Sequence, residues 1–187
     1  LRATGKIPTD IAHALEHPLS GQPLPRVLTL ANAERLMWAP DMGTFIGIRD
    51  ATIMSLLIGC GLRVSGLTGL NESNLQAVDL EGKARLTLRT VEKGGKERII
   101  PVPREAEALL RVYLGHEDLV KVDRSFVGKG GRTDKVLFIS VRSTRLAAHE
   151  HIGENRRLTR LAIWDLIRRH GRNVGIADDL LLADAMR

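Results

Sequence analysis

The stretch Gly59–Leu70, "GCGLRVSGLTGL", decides how this chain folds. It closes the most apolar run of the sequence, "IMSLLIGCGL" at 53–62, and its glycines at 59 and 61 mark where that run has to stop. Glycine enters the left-handed cap conformation without a Cβ penalty, so the spacing predicts a helix from about Thr44 to Ile58 that ends at "GCG". Taken by itself, the arginine that follows, Arg63, reads equally well as a solvated side chain at a helix cap. The apolar run is too short to span a bilayer and lies mid-chain, and no signal peptide is visible.

Downstream the period changes from helix to strand. "ARLTLRTV" at 84–91 alternates apolar and polar residues, "ERIIPVP" at 97–103 is rich in β-branched residues, and "EKGGK" between them supplies the glycines of a tight reversal. Residues 84 to 102 are therefore expected to form a β-hairpin. Helical spacing returns at Ala106, Leu109, Leu110, Tyr113 and Leu114. A polar loop, "VGKGGRTDK", and a short strand-like "VLFISV" follow. A last helix, from about Thr159 to Val174, is expected to turn Leu161, Trp164 and Ile167 inward and Arg160, Arg168, Arg169 and Arg172 towards solvent or phosphate. Upstream, Thr29 is a plausible N-cap for a helix through about Ala39 with Leu30, Ala33, Leu36 and Met37 on its apolar stripe. The proline-punctuated "GKIPTDIAHALEHPLSGQPLPRVLT" reads as a short helix and an extended linker, so the compact domain begins near Leu28.

With 187 residues, 43% of them hydrophobic, the chain can build one domain with a substantial core. Its net charge of +6 is unevenly spread. Seven Lys or Arg face two Glu between Lys83 and Arg104, and eight Arg face three acidic residues between Arg142 and Arg172, where His149, His151 and His170 also lie. Two such segments are either solvated basic faces or a footprint for phosphates. Aromatic residues make up only 3% of the chain, too few for a platform stacking single-stranded bases, so duplex DNA fits better. A single cysteine, Cys60, excludes an internal disulfide and suits a reducing cytoplasm.

Several chemistries fail on spacing. No Gly-Lys pair has the second glycine and the Ser or Thr of a phosphate-binding loop, which argues against nucleotide hydrolysis. His149 and His151 lack a third metal ligand at a suitable spacing. No nucleophile elbow supports a Ser-His-Asp triad.

What remains is an ordered pattern: an apolar helix, "GCGLRVSGLTGL", then a hairpin carrying "VEKGGKERIIPVP". In this the chain resembles the tyrosine recombinase, or phage integrase, family from about Leu24 to its last residue. The resemblance implies an α+β fold, mainly helical with a small antiparallel sheet. Residues 1–27 would be the end of a core-binding domain with its linker, and 28–187 a partial catalytic domain. It places the family's first catalytic arginine on Arg63 and its hairpin lysine on Lys93, with Lys96 the alternative. The box of the form H-x-x-R falls on "DAMR", so that Arg187 takes the second arginine, Asp184 stands where histidine is expected, and the chain is severed at the catalytic box. Gly66 occupies the place of a usual carboxylate. Lys96, Arg98, Thr159, Arg160 and Arg168 would contact DNA.

The residue types suit the implied reaction, attack of a tyrosine on a phosphodiester to give a 3′-phosphotyrosyl link and then exchange with a partner strand. Arginine offers paired donors to the nonbridging oxygens at any working pH. A lysine whose pKa is lowered by neighbouring guanidinium groups can protonate the leaving 5′ oxygen. The resemblance implies no metal, ATP or other cofactor, and double-stranded DNA and other recombinase protomers as partners. Arg63, Lys93 and Arg187 are expected on one concave basic surface, with an apolar patch at Leu180, Leu181, Leu182 and Met186. Tyr113 lies on an inward helical stripe, where packing explains it better than catalysis, so this chain is not expected to cleave DNA by itself. A noncatalytic DNA-binding protein and a relative of type IB topoisomerases are the two rival readings.

Overall fold

The computed structural model describes residues 28–80, 82–91, 95–128, 130–141 and 156–176. Helix α1 (Leu30–Met37) starts at Thr29, whose hydroxyl accepts the Asn32 N–H at 3.2 Å, and Pro40 follows closely on its end. It buries Ala33 and Leu36, whereas Leu30, expected inside, is 77% exposed. Helix α2 (Phe45–Gly59) is capped by Thr44, whose hydroxyl accepts the Gly47 N–H at 3.0 Å. Every residue from Gly47 to Leu57 is buried, so α2 is the central rod of the molecule and not an amphipathic surface helix. Gly61, at φ +58, supplies the left-handed turn that ends it.

A short helix, α3 (Val64–Thr68), follows, then a 3₁₀ turn (Glu72–Asn74) and an antiparallel sheet of β1 (Leu75–Leu80), β2 (Lys83–Val91) and β3 (Glu97–Pro101) in the order β1-β2-β3. The expected hairpin is β2–β3, with Leu88 opposite Ile100 and Thr90 opposite Arg98. Strand β1, which pairs Leu75 with Leu88, was not among the expected elements: Ala77, Val78 and Asp79 are exposed at this sheet edge, and no alternation marks it. Helix α4 (Arg104–Gly115) packs on α2 through Ala106, Leu110 and Tyr113, and α5 (Glu117–Val120) adds Leu119. The loop expected at 127–135 is the turn of a second hairpin, β4 (Ser125–Val127) with β5 (Thr133–Lys135). Its Gly130 and Gly131 both hold positive φ. The buried "VLFI" that follows belongs to neither sheet and is tied in by Leu137 N–H to the Leu70 carbonyl and by isolated bridges of Val136 with Asn71 and Ile139 with Arg157.

Helix α6 (Arg160–Asn173) begins at its N-cap, Thr159, as expected. Its inward face is different. Ile163, Leu166, Ile167, His170 and Gly171 are buried, while Leu161 is 71% exposed and Trp164 37% exposed. The fold is α+β and mainly helical, with a core centred on α2 and drawn from every helix and from β2 and β3.

Candidate active site

Arg63 is the N-cap of α3, in extended conformation, with its side chain exposed and its neighbour Leu62 buried. Leu67 anchors α3 in the core, and the helix lies against both β2 and α6. The contact with β2 is made at Gly66. A Cβ there would stand 3.1 Å from the Thr90 Oγ1, so α3 is packed closely against the Thr90 side chain. Thr90 is the penultimate residue of β2 and is paired with Arg98 of β3. The helix that Arg63 caps is therefore held against the turn end of the β2–β3 hairpin, one pair before Val91 meets Glu97.

Lys93, Asp184 and Arg187 lie outside the described residues, as do residues 1–27, His149, His151 and the apolar segment Leu180, Leu181, Leu182 and Met186. The other expected site residues fall on two elements. Lys96 and Arg98 are exposed on the hairpin. Thr159 is exposed at the start of α6, where its hydroxyl accepts the Ala162 N–H at 3.2 Å, and Arg160 is exposed one residue on. Arg168 stacks on Trp164, its guanidinium carbon 4.4 Å from the ring centroid. That contact explains the outward Trp164: the ring serves as a platform for a cation.

Part of the second basic segment is engaged in holding the fold together. Arg157 donates to the carbonyls of Thr68 (3.1 Å) and Leu70 (3.0 Å) and to Asn71 Oδ1 (2.7 Å), and lies over Phe126. It thereby ties the approach to α6 onto the C-terminal end of α3. Arg156 is buried, and Arg169, exposed as expected, also reaches inward to donate to Asp50 Oδ2 at 2.9 Å.

Asp50 was not foreseen as a site residue. Fully buried on α2, it accepts from Arg49 Nε and Nη2 at its Oδ1, and from Arg169 at its Oδ2 with His170 Nε2 3.0 Å away. Arg49 also reaches the Ile139 carbonyl at 3.0 Å. One carboxylate thus fixes α6 to α2. The signal was present in the sequence: Arg49 and Asp50 are adjacent charges inside an otherwise apolar helix, and buried charges need partners.

The sole tyrosine, Tyr113, is fully buried, stacks between Phe45 and Phe138, and donates its hydroxyl to the Leu137 carbonyl at 3.1 Å. Burial raises its pKa above the ordinary phenol value, which disfavours the phenolate. Burial likewise pushes the Cys60 thiol up to about 11, so it is an inert core residue. No group of three or more metal-ligating side chains occurs among the described residues, and no described helix is long and apolar enough to cross a membrane.

An arginine-bearing turn wedged between a β-hairpin and a basic helix, in a mainly helical domain, defines a candidate phosphodiester-binding protein by its chemistry. Comparison with known proteins gives the family. The phage integrase family matches residues 26–184, and the chain belongs to it. Tyrosine recombinase XerD of Pseudomonas aeruginosa is 34% identical over 178 residues, covering 94% of this chain and 51% of that protein. Tyrosine recombinase XerC of Chlamydia muridarum is 36% identical over 118 residues, covering 63% of this chain and 36% of that protein. The chain thus spans about half the length of XerD. In fold it is similar to the crystal structure of XerA recombinase (TM-score 0.56, 24% identity, 90% of this chain and 50% of that one). It is also similar to XerH site-specific recombinase in a post-cleavage complex with its palindromic difH substrate (TM-score 0.59, 17% identity, 87% and 40%).

Proposed function

We propose that the chain is part of the catalytic domain of a site-specific tyrosine recombinase and binds the backbone of duplex DNA. The observation that supports this reading is the seat of α3, the helix that Arg63 caps: Gly66 lies against Thr90 at the turn end of the β2–β3 hairpin, and the same helix touches α6 with its exposed Arg160. Arg63 would donate to the nonbridging oxygens of the scissile phosphate, Lys93 would protonate the leaving 5′ oxygen, and Arg187 would complete the clamp. Lys96, Arg98, Thr159, Arg160 and Arg168 would grip flanking phosphates. Residues 1–27 would link this domain to a core-binding domain, and strand exchange would need other protomers. The place of work would be the cytoplasm.

With Tyr113 sealed in the core, the attacking tyrosine would come from residues outside this sequence. The same burial favours a second reading, in which these residues act only by binding DNA. A nicked suicide duplex separates the two when given to a protein extended beyond Arg187. A denaturant-stable adduct that is lost with Arg63→Ala (R63A) supports the recombinase, and binding without an adduct supports the second reading. Neither binding nor adduct refutes both.

A further inference from the structure

At the end of β2 away from the hairpin tip, Lys83 and Arg85 form one wall of a pocket of about 370 Å³, and Arg104, Glu107 and Arg111 of α4 form the other. Four cationic side chains there face one carboxylate. Glu107 is taken by Arg111, whose Nε and Nη2 both donate to its Oε1 at 3.2 and 2.6 Å. That hydrogen bond is the main cause holding the Glu107 pKa below the usual carboxylate value, so the pair stays charged. Lys83, Arg85 and Arg104 make no ion pair among the described residues. The Arg85 Nε is buried and has no acceptor there either. Helix α4, which begins at Arg104 with no side chain capping its first amides, adds positive potential to the same wall.

We propose that this pocket is a phosphate-binding site separate from the one around Arg63. Arg85 lies about 20 Å along β2 from Val91, where the hairpin tip begins, a separation set by the rise of an extended strand. A carboxylate would occupy one guanidinium fork and leave two cations unneutralised. A phosphate has oxygens for the Arg85 fork and for Arg104 and Lys83 at once, and arginine recognises that group through paired donors. Two sources present it: a phosphodiester of a bound duplex, and a free oligophosphate.

The test follows the side-chain Nε–H signals of arginine by NMR while inorganic pyrophosphate is titrated into the chain. The Arg85 signal should move saturably, and Arg104→Gln (R104Q) should weaken the apparent Kd about tenfold, as expected for one charge-assisted hydrogen bond. Arg85→Gln (R85Q) should abolish the saturable response of the remaining pocket signals, and R104Q at the exposed helix start serves if R85Q does not fold. A second arm replaces pyrophosphate with a short duplex. Movement of the Arg85 signal in both arms assigns the source as nucleic acid, and movement with pyrophosphate alone assigns a free oligophosphate. The pyrophosphate arm stands whether or not the chain is part of a recombinase. An Arg85 signal silent in both arms, an R104Q affinity equal to that of the parent, or an equally tight saturable response to a glutamate peptide overturns the proposal.

Discussion

Tyr113 shows how a residue of the right type can be excluded by its surroundings. Its hydroxyl has a full hydrogen-bonding partner in the Leu137 carbonyl and no access to solvent. Tyr113→Phe is therefore expected to lower stability by about 1 kcal/mol, the net worth of one buried hydrogen bond. The urea midpoint should fall at unchanged slope, with duplex binding unaltered. Asp50→Ala should do far more, because it strands Arg49 and Arg169 and removes the partner of His170; about 3–5 kcal/mol is expected for breaking a buried ion pair. Cys60 gives a pH signature. Its thiol, moved by burial from 9.0 to about 11, stays protonated in the fold while the unfolded chain ionises near 9.0. Its contribution is whole below pH 9 and is lost as the pH rises towards 11, so the stability difference between the parent and Cys60→Ala should shrink across that window. Of these three, Tyr113 and Cys60 were legible as core residues from helical spacing and an apolar run. Asp50 was legible only as a buried charge beside Arg49 that needs further partners; Arg169 and His170, which supply them, lie on a helix more than a hundred residues away.

Among the elements, two of the helical glycines that meet neighbouring atoms closely, Gly47 and Gly66, call for opposite outcomes. A Cβ on Gly47 would stand 1.8 Å from the Asp41 backbone oxygen, which already accepts from the Thr44 N–H and hydroxyl. Backbone in that position cannot yield, and Gly47→Ala should cost at least the 1–3 kcal/mol or so typical of overpacking. At Gly66 the neighbour is the Thr90 hydroxyl at 3.1 Å, the end of a side chain. The gain of about 1 kcal/mol from replacing a helical glycine by alanine offsets the crowding, so Gly66→Ala should unfold within about 0.5 kcal/mol of the parent. Chemical denaturation of both variants checks the pair. The end of α2 and the turn of the β2–β3 hairpin could be read from glycines because those signals are local. The inward face of α6 could not, since His170 holds a core position by virtue of Asp50. The buried face runs through Ile163, Leu166 and Ile167 to His170 and Gly171, which leaves Leu161 and Trp164 to one side.

For the whole molecule the open quantity is how much of the positive charge meets DNA. The formal charge of +6 suggested two basic segments acting alike, yet the fold divides them. Arg156 is buried, Arg157 staples α3, Arg169 holds Asp50, and Arg89 is paired with Glu97 through contacts of 2.6 to 3.2 Å. Arg160 is exposed at the start of α6, and Arg168 is half-buried against Trp164. Each phosphate neutralised contributes a slope of about −0.9 to the dependence of log K on log salt. The double variant Arg160→Glu, Arg168→Glu should therefore flatten the slope for duplex binding by about 2. Arg169→Gln should instead give a lower midpoint, and a slope equal to that of the parent. Fluorescence anisotropy on a labelled duplex between about 50 and 200 mM salt, with thermal unfolding alongside, measures both. Equal slopes for all three proteins would mean that α6 faces away from the DNA and that the phosphates are held elsewhere.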